Sequence, residues 1–82
     1  MQTIVLQGEM FQEKELAHAY VKEMLHLPEY YGKNLDALYD CLTGFCDIEI
    51  IIIEKDSPYF QRVKRVFLAA AAENKNMTVK FI

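Results

Sequence analysis

The chain has 82 residues, of which 52% are hydrophobic and 26% charged, so it is long enough to form one domain with a hydrophobic core, and this composition argues against intrinsic disorder. Its net charge is −3, and residues 29–49 hold five acidic side chains against Lys33 as their one base. This local acidity argues against a direct nucleic-acid binder, whose footprint would be basic.

The amino terminus and the cysteines indicate the cellular compartment in which the protein is expected. The sequence MQTIVLQGEM lacks a basic n-region, and the longest apolar run, Ile50–Ile53, is too short to span a membrane. Cys41 and Cys46 do not form the pattern of a disulfide framework. We therefore expect a cytoplasmic protein with reduced thiols and no membrane partner.

The first half of the chain predicts a strand, a helix and a loop. The β-branched run Thr3–Leu6 predicts a strand that ends before Gly8. Apolar residues then recur at helical spacing from Gln12 to Leu27, and Pro28 ends the predicted helix there. The segment Pro28–Lys33 is predicted to be an ordered loop.

A second helix is predicted from its capping residues, with Asn34 as N-cap and Gly44 just beyond its end. A helical wheel divides it into two sides. The apolar side, predicted to face the core, carries Leu35, Leu38, Cys41, Leu42 and Phe45. The opposite side, predicted to face solvent or a partner, carries Asp36, Tyr39, Asp40 and Thr43.

The second half of the chain completes a β-α-α-β-α-β pattern. The isoleucine-rich run Ile48–Glu54 predicts a strand buried on both faces of a parallel sheet. Ser57 and Pro58 open a third helix that stops near Asn74, and Met77–Ile82 predicts the last strand. Right-handed crossovers make the sheet parallel, which gives an α/β fold.

Two aspartates one helical turn apart permit a catalytic or a binding interpretation. Asp36 and Asp40 repel each other by about 0.2–0.5 kcal/mol on an isolated helix. As a catalytic pair or a magnesium site they would need a cleft and further ligands, and the sequence shows neither a second acidic cluster nor a phosphate loop. We expect no enzyme activity, no metal and no cofactor. Neither His18 nor His26 has a zinc-ligand spacing with the cysteines, and Cys41 is expected to be a small buried apolar residue.

Aromatic residues accompany the acidic pair and favour binding of a protein. Tyr30 and Tyr31 precede the helix, Tyr39 lies on its polar side, and Phe45 follows its end. Tyrosines are enriched in interface hot spots because they bury a large area with little loss of rotamer entropy. The wheel position of Tyr39, between the aspartates, predicts that it is not a core residue.

The run LPEYYGKNLDALYDCLTGF, from Leu27 to Phe45, closely resembles the central segment of the barstar family, the intracellular inhibitors of barnase-type ribonucleases. Weaker similarity extends over the whole chain. The resemblance implies a single domain over residues 1–82, with a small three-stranded parallel sheet and three to four helices. It also implies one-to-one inhibition of an extracellular guanyl-type ribonuclease by an acidic helix and the preceding loop, which enter the active site.

The resemblance assigns roles residue by residue. Asp40 matches the carboxylate that replaces an RNA phosphate, Asp36 matches a second acid that pairs with cationic groups, and Tyr30 matches an aromatic that stacks on a catalytic histidine. Tyr39 and Phe45 stand where the family has contact tryptophans. The remaining residues that the resemblance places on the surface are Gly32, Asn34, Leu35, Thr43 and Gly44.

The chain also departs from the family pattern. Ala69 stands where a further contact acid is expected, Lys33 replaces an acidic residue, and the segment Lys55–Gln61 is shorter and lacks room for a short helix. The departures leave a second hypothesis open, a barstar-fold interaction module or an immunity protein for a different toxin. A small hydrolase is a more distant alternative. We expect a monomer when the protein is free, although an acidic face with two aromatics could support weak self-association.

Overall fold

The computed structural model describes residues 1–82 and has a three-stranded parallel sheet as its centre. The strands are β1 (Gln2–Gln7), β2 (Ile48–Ile53) and β3 (Met77–Phe81), and they lie in the order β1-β2-β3. Ile50 on β2 is the Cα partner of Ile4 on β1 and of Val79 on β3. The predicted parallel sheet is therefore confirmed.

Three α-helices connect the strands: α1 (Lys14–Met24), α2 (Leu35–Thr43) and α3 (Pro58–Glu73). A short 3-10 helix, Gly8–Phe11, follows β1. The link from β2 to α3 contains no further helix. The order of elements matches the predicted β-α-α-β-α-β pattern, and the α/β fold class is confirmed.

Helix α1 is shorter than the predicted Gln12–Leu27. It ends at Met24, and His26 then adopts a left-handed conformation with φ of 54°. The helix thus ends three residues before Leu27, so Pro28 is not the residue that ends it. The predicted stop was therefore placed too late.

The prediction that β2 is buried on both faces is wrong. Its residues alternate, with Ile48, Ile50 and Ile52 buried while Ile51 is half-buried and Ile53 is exposed. Right-handed crossovers in the order β1-β2-β3 place every connecting helix on the same face, so one layer of helices covers one side of the sheet. On the open side, Lys80 forms an ion pair with Glu49 at 3.0 Å.

The hydrophobic core fills the space between the sheet and the helices. Phe11, Phe60 and Phe67 are its largest fully buried side chains, and the rings of Phe11 and Phe60 stack with centroids 6.2 Å apart. The other members come from the α-helices, the strands and the segment between α1 and α2: Leu6, Ala17, Val21, Leu25, Leu27, Tyr31, Leu38, Leu42, Ile48, Ile50, Ile52, Val63, Ala70 and Met77.

The start of α3 follows its prediction. The Ser57 hydroxyl accepts a hydrogen bond from the Phe60 amide at 3.0 Å, which satisfies one of the free amides of the first turn. Pro58 occupies the first turn and Asn74 follows the last helical residue. The cap fixes where α3 begins, close to the first turn of α2.

Candidate protein-binding surface

Helix α2 is fixed at its amino terminus and along its buried side. The side-chain oxygen of Asn34 accepts a hydrogen bond from the Ala37 amide at 2.7 Å, as the predicted N-cap requires. Leu38 and Leu42 are fully buried. With these anchors in place, the Asp36 and Asp40 side chains point outward and both residues are exposed.

The two aspartates have no cationic partner within the molecule. The four ion pairs of the structure use Asp47, Glu29, Glu54 and Glu49, and none of them includes Asp36 or Asp40. Two exposed negative charges therefore lie one helical turn apart without neutralisation, and their repulsion weakens if a cation binds. The arrangement favours an encounter with a positively charged surface.

The loop before α2 displays one tyrosine and buries its neighbour. Tyr31 is 5% exposed and its amide donates to the Pro28 carbonyl at 2.9 Å, whereas Tyr30 is 88% exposed. Lys33 then adopts a left-handed conformation, with φ of 54°, before the Asn34 cap. The loop consequently presents the whole Tyr30 ring to solvent, which is costly for an aromatic side chain unless a partner covers it.

Tyr30 and Asp40 border a common groove of about 360 Å³ between the loop and the carboxyl-terminal half of α2. Its lining is largely apolar with one carboxylate, a composition that can hold an aromatic or cationic side chain of a partner. The other residues that line it are His26, Leu27, Pro28, Cys41, Gly44 and Phe45.

A larger depression, of about 590 Å³, adjoins this groove through the shared residues His26 and Leu27. Lys22 and Glu29 line it and pair with each other at 3.2 Å, and Lys33 lines it without an ion pair. Its charges largely compensate one another, so we regard the Asp40 groove as the better candidate for a charged partner.

The remaining predicted residues occupy different depths. Gly32, Asn34 and Gly44 are exposed, while Leu35, Thr43 and Phe45 are half-buried. The prediction that Tyr39 is not a core residue is wrong in part, because Tyr39 is half-buried and packs against the core. Helix α2 packs against α3 as well as on the core, so its buried arc is wider than the wheel predicts.

The amino-terminal end of α2 has basic neighbours that the sequence did not predict. Lys14 and Arg62 share a cavity of about 200 Å³ with Asn34, Leu35, Asp36 and Tyr59. Neither base forms an ion pair with Asp36 within 4.0 Å. The Asp36 end of the surface is thus less negative than the Asp40 end. Ala69 on α3, which stands where a further contact acid was expected, is exposed and carries no charge.

Two buried polar residues, Asn74 and His18, support the surface; Asn74 was predicted only as the end of α3, and His18 was predicted to have no role in the surface. The Asn74 amide donates to the carbonyls of Leu42 at 3.0 Å and of Phe45 at 2.7 Å, which fixes the end of α2. His18 is 1% exposed, and its ring nitrogens lie 2.6 Å from the hydroxyls of Tyr31 and Tyr59. A buried polar side chain needs hydrogen-bond partners. The position of His18 next to Ala17, in the apolar stripe of α1, was therefore the sequence signal for a buried hydrogen-bonded histidine.

The thiols and acids offer little chemistry. Cys41 is half-buried, and burial raises the pKa of its thiol, with the Asp40 charge adding to the effect. Cys46 is exposed and free. No three histidine, cysteine or acidic side chains gather closely enough to hold a metal ion.

None of the helices has the length and apolarity that a membrane crossing requires.

The fold and the surface together define a small two-layer α/β protein that presents an acidic helix beside an exposed aromatic loop. The chain matches the family Barstar (barnase inhibitor) over residues 1–81, and it belongs to that family. It is also 36% identical over 74 residues to "Putative ribonuclease inhibitor YrdF" of Bacillus subtilis (strain 168), a match that covers 90% of this chain and 77% of that protein. The family predicted from Leu27–Phe45 is thereby confirmed, and both matches point to an inhibitor rather than an enzyme.

Proposed function

We propose that the protein inhibits an extracellular guanyl-type ribonuclease by binding it one-to-one and covering its active site. The observation that best supports this proposal is the grouping of exposed Tyr30 with unpaired Asp40 around one groove, with unpaired Asp36 one turn away. The active site of a ribonuclease binds phosphates and is therefore cationic, which complements the acidic surface.

In this proposal Asp40 takes the place of an RNA phosphate among the cationic groups of the enzyme. A carboxylate that is desolvated against guanidinium groups forms charge-assisted hydrogen bonds, which are the stronger class. Tyr30 stacks on a partner ring at the mouth of the groove, Phe45 borders the same groove, and Asp36 pairs with a second cation. The half-buried Tyr39 contributes a smaller contact area than a fully exposed tyrosine would.

The edge of the proposed contact is formed by Gly32, Asn34, Leu35, Thr43 and Gly44. Of these, Gly44 lines the Asp40 groove, whereas Asn34 and Leu35 line the cavity next to Asp36. Thr43 supports the helix, because its hydroxyl donates to the Asp40 carbonyl at 2.9 Å. We further propose that the inhibitor acts in the cytoplasm, where it protects cellular RNA before the ribonuclease is exported, and that the free protein is a monomer.

Titration calorimetry of the protein against barnase, beside Asp40→Ala and Asp36→Ala, tests the proposal. We expect one-to-one binding, and Asp40→Ala should weaken it by about 2–5 kcal/mol, since a cationic cluster is left without its partner. Asp36→Ala should weaken it less, because Lys14 and Arg62 already lie near that carboxylate. Glu9→Ala, which removes an equal charge from an exposed residue that lines neither the groove beside Asp40 nor the cavity beside Asp36, is the matched control and should bind as the unmodified protein does.

The same titration separates the proposal from its alternative. If neither barnase nor any related guanyl ribonuclease binds, the specific inhibitor proposal is wrong. The alternative is then an interaction module or immunity protein of barstar fold for another toxin. The basic neighbours of Asp36 and the exposed Ala69 are the features that favour such a different partner.

A further inference from the structure

His18 connects three parts of the structure through one buried imidazole. Its Nδ1 lies 2.6 Å from the Tyr31 hydroxyl and its Nε2 lies 2.6 Å from the Tyr59 hydroxyl. A neutral imidazole has one donor and one acceptor nitrogen, so one ring nitrogen donates to one hydroxyl oxygen while the other hydroxyl donates to the second nitrogen. Every polar atom of the ring is therefore satisfied without water.

The two tyrosines border opposite parts of the candidate surface. Tyr31 lies in the loop directly after exposed Tyr30. Tyr59, in the first turn of α3, lines the cavity that also contains Asn34 and Asp36. The imidazole on α1 thus ties both the loop and the start of α3 to the positions they hold around α2.

The loop has few other connections. Over residues 28–33, the Tyr31 amide bonds to Pro28 within the loop, and Glu29 pairs with Lys22 at the exposed surface. The His18–Tyr31 hydrogen bond is the one buried hydrogen bond that joins this segment to another element. An exposed ion pair contributes little to rigidity, so the buried bond is the main polar restraint on the loop.

We propose that His18 is a positioning residue for the binding surface, which it orders through Tyr31 before any partner arrives. The effect on the free loop stands alone, whereas the effect on affinity rests on the function proposed above. A loop that is already ordered saves the entropy of ordering it during binding. If the loop occupies its binding conformation only a fraction of the time, the apparent Kd of the protein for its partner equals the intrinsic Kd divided by that fraction, so binding is weaker.

Tyr31→Phe tests the proposal with the smallest possible change, because it removes the hydroxyl and keeps the buried ring. Tyr20→Phe is the matched control: the Tyr20 hydroxyl accepts a hydrogen bond from the Gln7 amide at 2.8 Å, outside the loop. Amide hydrogen exchange is measured in the free proteins at position 31, Ala37 and Leu38, the amides of the loop and of the first turn of α2 that have an acceptor, and it is corrected for global stability from urea denaturation. Affinity for barnase is measured by calorimetry.

We expect Tyr31→Phe to accelerate exchange at these three amides by about tenfold or more and to weaken barnase binding by about tenfold. Tyr20→Phe should change neither after the stability correction. A second variant, Tyr59→Phe, should change both the exchange at these amides and the affinity for barnase less than Tyr31→Phe does, because it leaves the Tyr31 bond in place.

Each possible failure has a distinct meaning. If exchange at these three amides in Tyr31→Phe follows global stability alone, His18 is merely structural and the proposal is overturned. If exchange accelerates but barnase affinity is unchanged, the ordering of the loop does not serve binding and the proposal is overturned in that respect. If the unmodified protein binds no ribonuclease while exchange still accelerates, the ordering role is supported and the proposed function fails.

Discussion

The side-chain amide of Asn74 donates a hydrogen bond to the Phe45 carbonyl at 2.7 Å and thereby joins the end of α3 to the end of α2. The same amide donates to the Leu42 carbonyl, and the Asn74 side-chain oxygen accepts from the Asn76 amide at 3.0 Å. One buried residue thus satisfies the Phe45 carbonyl and gives a second donor to the Leu42 carbonyl, which also accepts from the Phe45 amide at 3.3 Å. Its position sets where Phe45 enters the groove.

Asn74→Ala should lower the free energy of unfolding by about 1–3 kcal/mol, because the Phe45 carbonyl loses its donor and the Leu42 carbonyl keeps only its longer bond from the Phe45 amide. Urea denaturation measures the change. Asn76→Ala is the matched control, since the Asn76 side chain is exposed and forms no hydrogen bond in the structure, and it should change stability by less than about 0.5 kcal/mol. Equal losses in the two variants would show that the Asn74 bonds are not specifically stabilising.

Stability should also depend on the titration of His18. Burial lowers the pKa of this imidazole from its ordinary value of 6.5, and the Lys14 charge lowers it further. The unfolded chain therefore binds the proton at a higher pH than the folded chain does. The His18 contribution is present above pH 6.5 and is lost as the pH falls from there through the lowered folded pKa.

Urea denaturation between pH 7.5 and roughly 5 should accordingly show falling stability in the unmodified protein, and His18→Gln should flatten that part of the profile. The groups around the ring are Lys14 on α1, Tyr31 and Tyr59, with Arg62 near Tyr59. Burial raises the pKa of both tyrosines, so they do not titrate in this window. His26→Gln, which replaces an exposed histidine in the same way, is the matched control for the substitution itself. An unchanged slope in His18→Gln would contradict the assignment.

The local features of the fold could be predicted because short stretches of sequence determine them. Asn34 and Ser57 cap their helices as predicted, since a cap needs only its own side chain and an amide three residues on. Leu38 and Leu42 are buried because helical periodicity places them together. Asp36 and Asp40 are exposed for the same reason.

The features that could not be predicted depend on residues far apart in the chain. His18 meets Tyr31 and Tyr59 at separations of 13 and 41 residues, and Asn74 meets Leu42 at a separation of 32. Periodicity contains no information about such pairs. The isoleucine run of β2 likewise did not reveal that one face of the sheet is open, because a run of one residue type cannot distinguish the faces.

The basic neighbours of Asp36 should slow association with a basic enzyme. Arg62→Gln is expected to raise the barnase association rate by about two- to fivefold at low salt, because it removes a positive charge from the cavity next to Asp36. Lys75→Gln is the matched control, since it removes an equal charge from an exposed residue beyond α3. Stopped-flow fluorescence at two salt concentrations measures both rates.

The outcome also reports on the partner. Equal increases in both variants would mean that only net charge matters. A slower rate in Arg62→Gln would mean that Arg62 itself contacts an acidic group of the enzyme, which contradicts the expected repulsion.

The close approach of Gly8 to the link after β2 gives a prediction about packing. A Cβ at Gly8 would overlap the Ile53 carbonyl oxygen and lie 2.7 Å from the Lys55 backbone nitrogen. Gly8→Ala should therefore destabilise the protein by about 1–3 kcal/mol in urea denaturation, because backbone atoms cannot move aside as a flexible side chain can.

Gly44→Ala is the matched comparison and tests how α2 ends. Gly44 follows the last residue of α2 as predicted, but its φ is −92°, so it does not use the left-handed conformation that a C′ glycine typically adopts. A Cβ there would meet the Cys41 carbonyl at 3.6 Å, an ordinary contact. Gly44→Ala should therefore be neutral or raise stability by up to about 1 kcal/mol, because alanine restricts the unfolded chain. A loss as large as that of Gly8→Ala would show that Gly44 adopts a left-handed conformation in solution, and that the groove it lines beside Asp40 has a different shape.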